Sequence, residues 1–281
     1  MLICRTGAEI RDFVRQARAA GKTVGLVPTM GYFHEGHLSL MREARKSCAA
    51  VVVSLYVNPM QFGPREDLAR YPKDFGRDCA MARQVGVDAI FAPSDREMYP
   101  DGFSTCVEVT GMTDKLCGLS RPGHFRGVTT VVAKLFNLVT PDQAFFGRKD
   151  AQQALVIERM VRDLNMGLEV VTLPTVREED GLAMSSRNIY LDPGQRREAT
   201  VLYRSLRAFR EAVKRGERDA GRLRGIMVDM IAGARGAGIE YVEILSVPDL
   251  QPLEVINGRV VAALAVRFGK TRLIDNTVME V

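Results

Sequence analysis

The 281-residue sequence has no tryptophan, only three histidines, an odd five cysteines and 7% aromatic residues. No apolar run approaches the roughly 20 residues that span a bilayer. The longest, Arg259–Phe268, is closed off by charge, so no membrane segment is expected. The cysteines (Cys4, Cys48, Cys79, Cys106, Cys117) form no C-x-x-C pair and sit in mostly apolar stretches. That excludes a disulfide frame or a zinc knuckle and points to reduced thiols in a cytoplasmic protein. The first twelve residues carry Arg5, Glu9, Arg11 and Asp12 with no apolar core behind a basic start, so no secretory leader is expected. Repeats, low-complexity tracts and basic blocks of five or more are missing. The net charge of +5 therefore suits small anionic ligands rather than nucleic acid. Two phosphate signatures are also missing. Gly269-Lys270-Thr271 lacks the upstream glycine of a Walker A loop, since position 264 is leucine, and there is no G-x-G-x-x-G.

What is present is a globular composition, 46% hydrophobic and 26% charged. At roughly 150 residues per domain this length allows about two domains. The first part alternates strands and helices: Thr23–Pro28, then a helix over Leu38–Cys48, the near-continuous apolar strand Val51–Val57, a helix over Phe75–Val85, and Asp88–Ala92. A helix over Val128–Val139, the strand Gln143–Phe146, a helix over Ala151–Leu164 and the strand Leu168–Leu173 continue the series. Such repetition predicts a parallel sheet with right-handed crossovers. The last third changes character. Asp192-Pro193-x-Gln195 is an N-cap, a proline at the first turn and a capping-box glutamine, opening one long helix to about Arg215, with a second helix from Asp219 to Ala234. Three strands follow, Tyr241–Ser246, Arg259–Phe268 and Thr271–Val281, with turns at Asn257-Gly258 and Gly269-Lys270. The domain boundary falls near residue 175. Phe62–Pro72 and Cys117–Gly127 are read as long loops of the kind that serve as lids.

Two of the three histidines, His34 and His37, lie in Thr29–His37 (TMGYFHEGH), after a strand and before a helix. That is the carboxyl end of a strand in an α/β sheet, where ligands bind. The pair can face one phosphate together with free helix N–H groups. A metal site or a purely structural pair remain as alternatives, although the spacing here is H-E-x-H and not the H-E-x-x-H of a zinc protease. Gly147–Asp150 (GRKD) follows another strand, and Lys149 can act as a point charge for phosphate; Asp150 and Gln153 equally fit a capping box. Met184–Asn188 (MSSRN) offers two hydroxyls and a guanidinium, although the default reading of such a stretch is a solvated loop. Gln61, after Asn58-Pro59, is a polar group just past an apolar strand, which taken alone reads as a turn residue.

Taken in order, Pro28–Gly31, His34–His37, Val57–Phe62, Arg121–Phe125, Phe145–Gln153, Asp180–Asn188 and Thr271–Asn276 strongly resemble the pantoate–β-alanine ligases (pantothenate synthetases), over nearly the whole chain. These enzymes belong to the nucleotidyltransferases with an H-x-G-H motif and a KMSKS-like loop, here Met184–Asn188. The resemblance implies an α/β fold, with a Rossmann-like doubly wound parallel sheet over 1–175 and a smaller α+β lid domain over 176–281. It implies ATP-dependent condensation of pantoate with β-alanine through a pantoyl-adenylate. By resemblance Met30, Gly31, His34, Gly36, His37, Gly147, Arg148, Lys149, Asp150, Val176, Met184, Ser185, Ser186 and Arg187 hold ATP. His37, His34 and Lys149 take the catalytic positions, and Gln61 and Gln153 hold pantoate, with Gln61 near the amine as well. Magnesium travels with the ATP phosphates, and no protein metal ligand is assigned. A homodimer is expected, with no nucleic-acid or membrane partner.

Three positions depart from the family pattern. Arg148 stands where glutamate is common. Tyr32-Phe33 is bulkier than the usual pair and is expected to tighten the nucleotide entrance. Arg77-Asp78 replaces two acids that lie near a magnesium in relatives, so that assignment does not transfer.

Overall fold

A computed structural model of the chain describes residues 1–64 and 66–281. The elements are β1 (Leu2–Cys4), α1 (Gly7–Ala19), β2 (Val24–Thr29), α2 (Glu35–Ser47), β3 (Ala50–Leu55), α3 (Phe75–Gln84), β4 (Ala89–Phe91) and α4 (Asp95–Met98). Then come α5 (Leu116–Ser120), α6 (His124–Val139), β5 (Gln143–Gly147), α7 (Ala151–Asp163) and β6 (Glu169–Leu173). The remainder holds α8 (Pro193–Glu198), α9 (Val201–Lys214), α10 (Ala220–Ala232), β7 (Ala237–Ser246), β8 (Arg259–Phe268) and β9 (Thr271–Glu280). Among the described residues, no helix is long and apolar enough to cross a membrane. The chain folds as two compact units, one of residues 1–110, 121–148 and 153–174, the other of 111–120, 149–152 and 175–281.

The first unit is a six-stranded parallel sheet in the order β1-β4-β3-β2-β5-β6. From β2 the chain advances one way to β3 and β4, and later the other way to β5 and β6. The sheet is thus doubly wound, and its switch point lies between β2 and β5, the crevice in which open α/β sheets bind ligands. Val51 and Val53 of β3 pack with Phe33, Met41, Ile90 and Phe145 under α2 and α3. Val52 and Leu26 are fully buried on the opposite face, where α1 and α6 pack. This burial on both faces is why β3 reads as a continuous apolar run.

The sequence pattern alone does not mark β1 or α1. Their signal is there: Thr6 and Glu9 form a capping box, and Ile10, Val14 and Ala17 give α1 one buried stripe. Cys117–Gly127 is not a loop, because it contains α5 and the start of α6, four residues before the expected Val128. Gly123, at φ +81°, turns the chain into that helix. In the expected 62–72 loop, Leu68–Arg70 forms a 3-10 turn, and residue 65 lies outside the described residues.

The second unit is the antiparallel sheet β7-β8-β9. Val260, Ala262, Leu264, Val266 and Phe268 alternate on one face of β8 and bury against Leu202, Leu206 and Phe209 of α9 and Leu223, Met227 and Ile231 of α10. The Asp192 capping box forms as expected, with Asp192 accepting from Gly194 and Gln195 N–H groups and Gln195 accepting from Asp192 N–H. The single long helix does not. The bonds tighten from four residues to three, Thr200 N–H to Arg197 O at 3.3 Å and Leu202 N–H to Ala199 O at 3.2 Å, which divides it into α8 and α9. Strand β7 starts at Ala237 rather than Tyr241, with a register shift between Ile239 and Tyr241. Gly269-Lys270 is the β8–β9 hairpin turn, with Gly269 at φ +59°, whereas Gly258 ends a longer connection from β7. The segment 111–120 joins this unit through side chains. Buried Gln152 donates to Met112 O at 2.9 Å and Lys115 O at 2.8 Å and accepts from Cys117 N–H at 3.0 Å. Cys117 Sγ lies 3.1 Å from Tyr241 Oη, and Arg272 donates to Ser120 Oγ at 3.3 Å. All five cysteines are unbridged.

Candidate active site

The turn from β2 to α2 is built one backbone N–H at a time. Thr29 Oγ1 donates to Ser54 O at 2.7 Å and accepts from Gly31 N–H at 3.2 Å. Gly31 has φ +85° and Tyr32 φ +51°, a left-handed pair that bends the chain sharply. A Cβ on residue 31 would also stand 3.0 Å from Asp78 Oδ2 and 3.2 Å from Leu55, so glycine is required there. Tyr32 N–H donates to Asp78 Oδ2 at 2.6 Å and Phe33 N–H to Asp78 Oδ1 at 2.7 Å. Burial pushes the Asp78 carboxyl above its ordinary value, although both N–H donors pull the other way. Phe33 is a core side chain, fully buried beneath α2, so it does not narrow the nucleotide entrance as expected from its bulk. Tyr32, by contrast, lines a cavity of about 550 Å³ with Met30, Gly31, Lys73 and Asp78.

His34 is the N-cap of α2. Its Nδ1 accepts from Gly36 N–H at 3.2 Å, and its own N–H donates to His37 Nδ1 at 3.3 Å, a capping box made of two histidines. The Gly36 N–H is thus used by His34 and is not one of the free helix donors. Because both Nδ1 atoms accept, the hydrogen-bond pattern assigns the proton of each neutral ring to Nε2. The ring centroids are 4.1 Å apart. The helix cap itself therefore sets the tautomer of both rings.

Gln61 ends the 3-10 turn Pro59–Gln61 and is buried. Its Nε2 lies 3.1 Å from Met30 Sδ, which brings together two expected site residues from separate loops. Asn58 is buried with its amide saturated: Oδ1 accepts from Met60 N–H and Tyr99 Oη, while Nδ2 donates to Gly127 O and Gln61 Oε1. The Gln61 carbonyl accepts from His124 Nδ1 at 2.9 Å and Arg121 Nη2 at 3.1 Å. His124 Nδ1 must be the donor there, which leaves Nε2 to accept from Arg121 Nη1 at 3.1 Å. Arg121 also pairs with Glu66 through Nε at 2.9 Å and Nη2 at 2.5 Å. Burial alone would raise the Glu66 carboxyl, but the guanidinium outweighs it and holds the group below its ordinary value. Asn58, Asp78, Arg121 and His124 carry no role in the sequence reading. The available signal was an Arg and a His three residues apart at a helix start.

Gly147 ends β5, and Arg148 donates to Thr172 Oγ1 at 3.3 Å. The 3-10 turn Arg148–Asp150 runs directly into α7, so Asp150 lies in a helical turn and not at an extended N-cap. Gln153 is half-buried in the first turn of α7; the structural glutamine is its neighbour Gln152. In the second unit, Lys149 Nζ lies 3.8 Å from Asp150 Oδ2, and its backbone carbonyl accepts from Asn276 Nδ2 at 2.8 Å. Met184 N–H donates to Val176 O at 3.0 Å, so these two expected site residues are neighbours. Ser185 caps the 3-10 turn Ser186–Tyr190 by accepting from Arg187 N–H at 3.3 Å. Ser186 is buried. The base of this loop is tied by Arg177, which grips buried Asp275 at 2.6 and 3.0 Å and donates to Gly181 O at 3.1 Å, with its other face on Tyr203.

The pantoate–β-alanine ligase family model matches residues 2–278. The chain is 64% identical over 279 residues to pantothenate synthetase of Pelotomaculum thermopropionicum, covering 99% of each. It is 58% identical over 281 residues to that of Moorella thermoacetica, covering 100% of this chain and 99% of the other. Among solved structures, pantothenate synthetase from Thermus thermophilus matches with a TM-score of 0.94 at 47% identity, over 99% of both chains. Pantoate–β-alanine ligase from Francisella tularensis, complexed with βγ-ATP and β-alanine, matches with a TM-score of 0.80 at 32% identity, over 99% of this chain and 97% of that one. A paired-histidine turn at the switch point of a doubly wound sheet, a buried glutamine beside it and full-length similarity of this degree agree: the chain belongs to the pantoate–β-alanine ligase family.

Proposed function

We propose that the chain condenses pantoate with β-alanine in an ATP-dependent reaction that passes through pantoyl-adenylate. The observation that carries this reading is the His34–His37 cap, in which backbone bonding consumes both Nδ1 atoms and so fixes both Nε2 atoms as donors. A pantoate carboxylate oxygen attacks the α-phosphorus of ATP, and the bond to the bridging oxygen breaks as pyrophosphate leaves. The β-alanine amine then attacks the acyl carbon, AMP departs with the former carboxylate oxygen, and the amine proton is lost to give the amide. No protein nucleophile is needed. The task is to orient two anions and to stabilise charge growing on phosphate oxygens.

Met30, Gly31, His34, Gly36, His37, Gly147 and Arg148 hold ATP, with His34 and His37 as the donors that act on the transition state. Lys149 adds a catalytic cation, and Asp150, Val176, Met184, Ser185, Ser186 and Arg187 complete the ATP contacts. Gln61 and Gln153 read the pantoate hydroxyl and carboxylate. A site that pairs with a substrate hydroxyl rejects the analogue lacking it, because its own polar groups are left unpaired. Magnesium enters with the nucleotide, held by phosphates and water. The enzyme acts in the cytoplasm, as a homodimer formed through the N-terminal domain. In sedimentation the species should have twice the 31.1 kDa chain mass, and a lone monomer at micromolar concentration would reject the dimer. Labelled pyrophosphate should exchange into ATP with pantoate and magnesium alone, and label from the pantoate carboxylate should appear in AMP once β-alanine is added. Exchange that strictly needs β-alanine, or ADP as product, would overturn the adenylate pathway.

A further inference from the structure

We propose that Asp78 is a positioning residue that holds the histidine-bearing turn and is not a ligand of the reaction's magnesium; this deepens, and rests on, the adenylate reading above. The geometry has three parts. First, both oxygens of this buried carboxylate are occupied by successive backbone donors, Tyr32 N–H at 2.6 Å and Phe33 N–H at 2.7 Å. Successive N–H groups around left-handed residues form a concavity that binds anions. Here the anion is supplied by the chain itself, across 46 and 45 positions of sequence.

Second, a cation is already built in. Arg77, in the place of the second acid, has Nη1 3.7 Å from Asp78 Oδ1 and donates from Nη2 to Phe33 O at 2.8 Å. Its guanidinium also lies 5.0 Å from the centre of the Tyr32 ring. A divalent ion at Asp78 would have to share oxygens that already accept backbone N–H bonds, and would sit against this guanidinium. Among the described residues no three His, Cys, Asp or Glu side chains group as a metal site. The residues present therefore do not fit a protein-bound magnesium at this place.

Third, the turn needs a clamp. A bulky residue in the left-handed region, as Tyr32 is, persists only where its surroundings hold it. From Gly31 to His34 every backbone N–H is bound by a side chain: Thr29, Asp78, Asp78 again and His37. Asp78 supplies the middle two of four. The last of the series is the bond that sets the His37 tautomer, so loosening the middle of the turn moves both Nε2–H donors.

Asp78→Asn keeps the shape but turns one acceptor into a donor facing an N–H. The expected result is kcat lowered about 100-fold, the scale of a misplacement near 1 Å. KM for ATP and the magnesium concentration for half-maximal rate should stay close to those of the parent. The Tyr32 and Phe33 amides should exchange faster with solvent. A variant that recovers its rate at high magnesium, or one that keeps the parent kcat when folded, would overturn the proposal. If the variant does not fold, the unaltered protein decides. Manganese(II) alone, without nucleotide, should leave the NMR signals of Tyr32, Phe33 and Asp78 unbroadened, and broadening centred on Asp78 would overturn it. Failure of the parent enzyme to exchange pyrophosphate would instead strike the adenylate reading and leave the clamp standing.

Discussion

Gly127→Ala separates two opposed effects inside α6. Helix propensity favours alanine over glycine by about 1 kcal/mol. Yet a Cβ at 127 would stand 2.4 Å from Met60 O, 2.5 Å from Met60 C and 2.7 Å from Gln61 N. Ordinary contact begins near 3.4 Å, so the turn and the helix must part by about 1 Å (3.4 minus 2.4). Overpacking of this kind costs about 1–3 kcal/mol, which cancels or exceeds the propensity gain. The displaced backbone carries Gln61, and its carbonyl is the shared acceptor of Arg121 and His124. A 1 Å misplacement at a reacting site lowers rate by about 100-fold. The variant should therefore fold, with stability within a few kcal/mol of the parent, while kcat/KM for pantoate falls by about two orders of magnitude and KM for ATP changes little. Steady-state kinetics with pantoate varied, beside a urea melt, measures both. Unchanged pantoate kinetics at equal or higher stability would mean that α6 yields and that the Gln61 turn is not seated on it.

His34→Asn should keep the helix cap, since asparagine is a preferred N-cap, but remove the Nε2–H donor. Melting should be nearly unchanged, with kcat down about 100- to 1000-fold; a near-normal kcat would refute the donor role. Asp275→Asn should destabilise the second unit by about 3 kcal/mol, because it leaves Arg177 without its buried partner, and a guanidinium chloride midpoint equal to the parent's would contradict this. Glu66 is held below its ordinary value by Arg121. The stability it contributes is full above the unfolded carboxyl value near 4.3 and is lost as pH falls through the lower folded value. Urea melts from about pH 6 to about pH 3 should accordingly be flatter for Glu66→Gln than for the parent, and parallel curves would count against the pair.

What was legible in the sequence follows the range of the interactions. The strand expected over Val51–Val57 and the Asp192 cap are local signals, periodicity and a four-residue motif, and both appear in the fold, the strand as Ala50–Leu55. The α8–α9 division is local too, but it depends on a change from four-residue to three-residue bonding that residue types do not announce. Strand β1 spans only three residues, too short for a pattern, and its helix α1 is marked mainly by the Thr6–Glu9 box. His34 and His37 are visible by spacing. Their tautomers are not, because these depend on the helix starting at Glu35. Asp78 is the least legible of all. Its partners lie far along the chain, and Arg77 beside it reads as the loss of a site when it is part of a clamp.

The second unit gathers residues from three stretches of chain, and the backbone passes from one unit to the other five times, at 110/111, 120/121, 148/149, 152/153 and 174/175. On the ribosome this has a temporal meaning. Residues 111–120 emerge long before Tyr241 and Arg272, the side chains that receive Cys117 and Ser120. Until the last strands are translated, that segment has Gln152 but not its sheet. Vectorial synthesis therefore cannot finish one unit and then begin the other, and a nascent chain arrested near residue 175 should expose 111–120 to protease, whereas release of the complete chain should protect it.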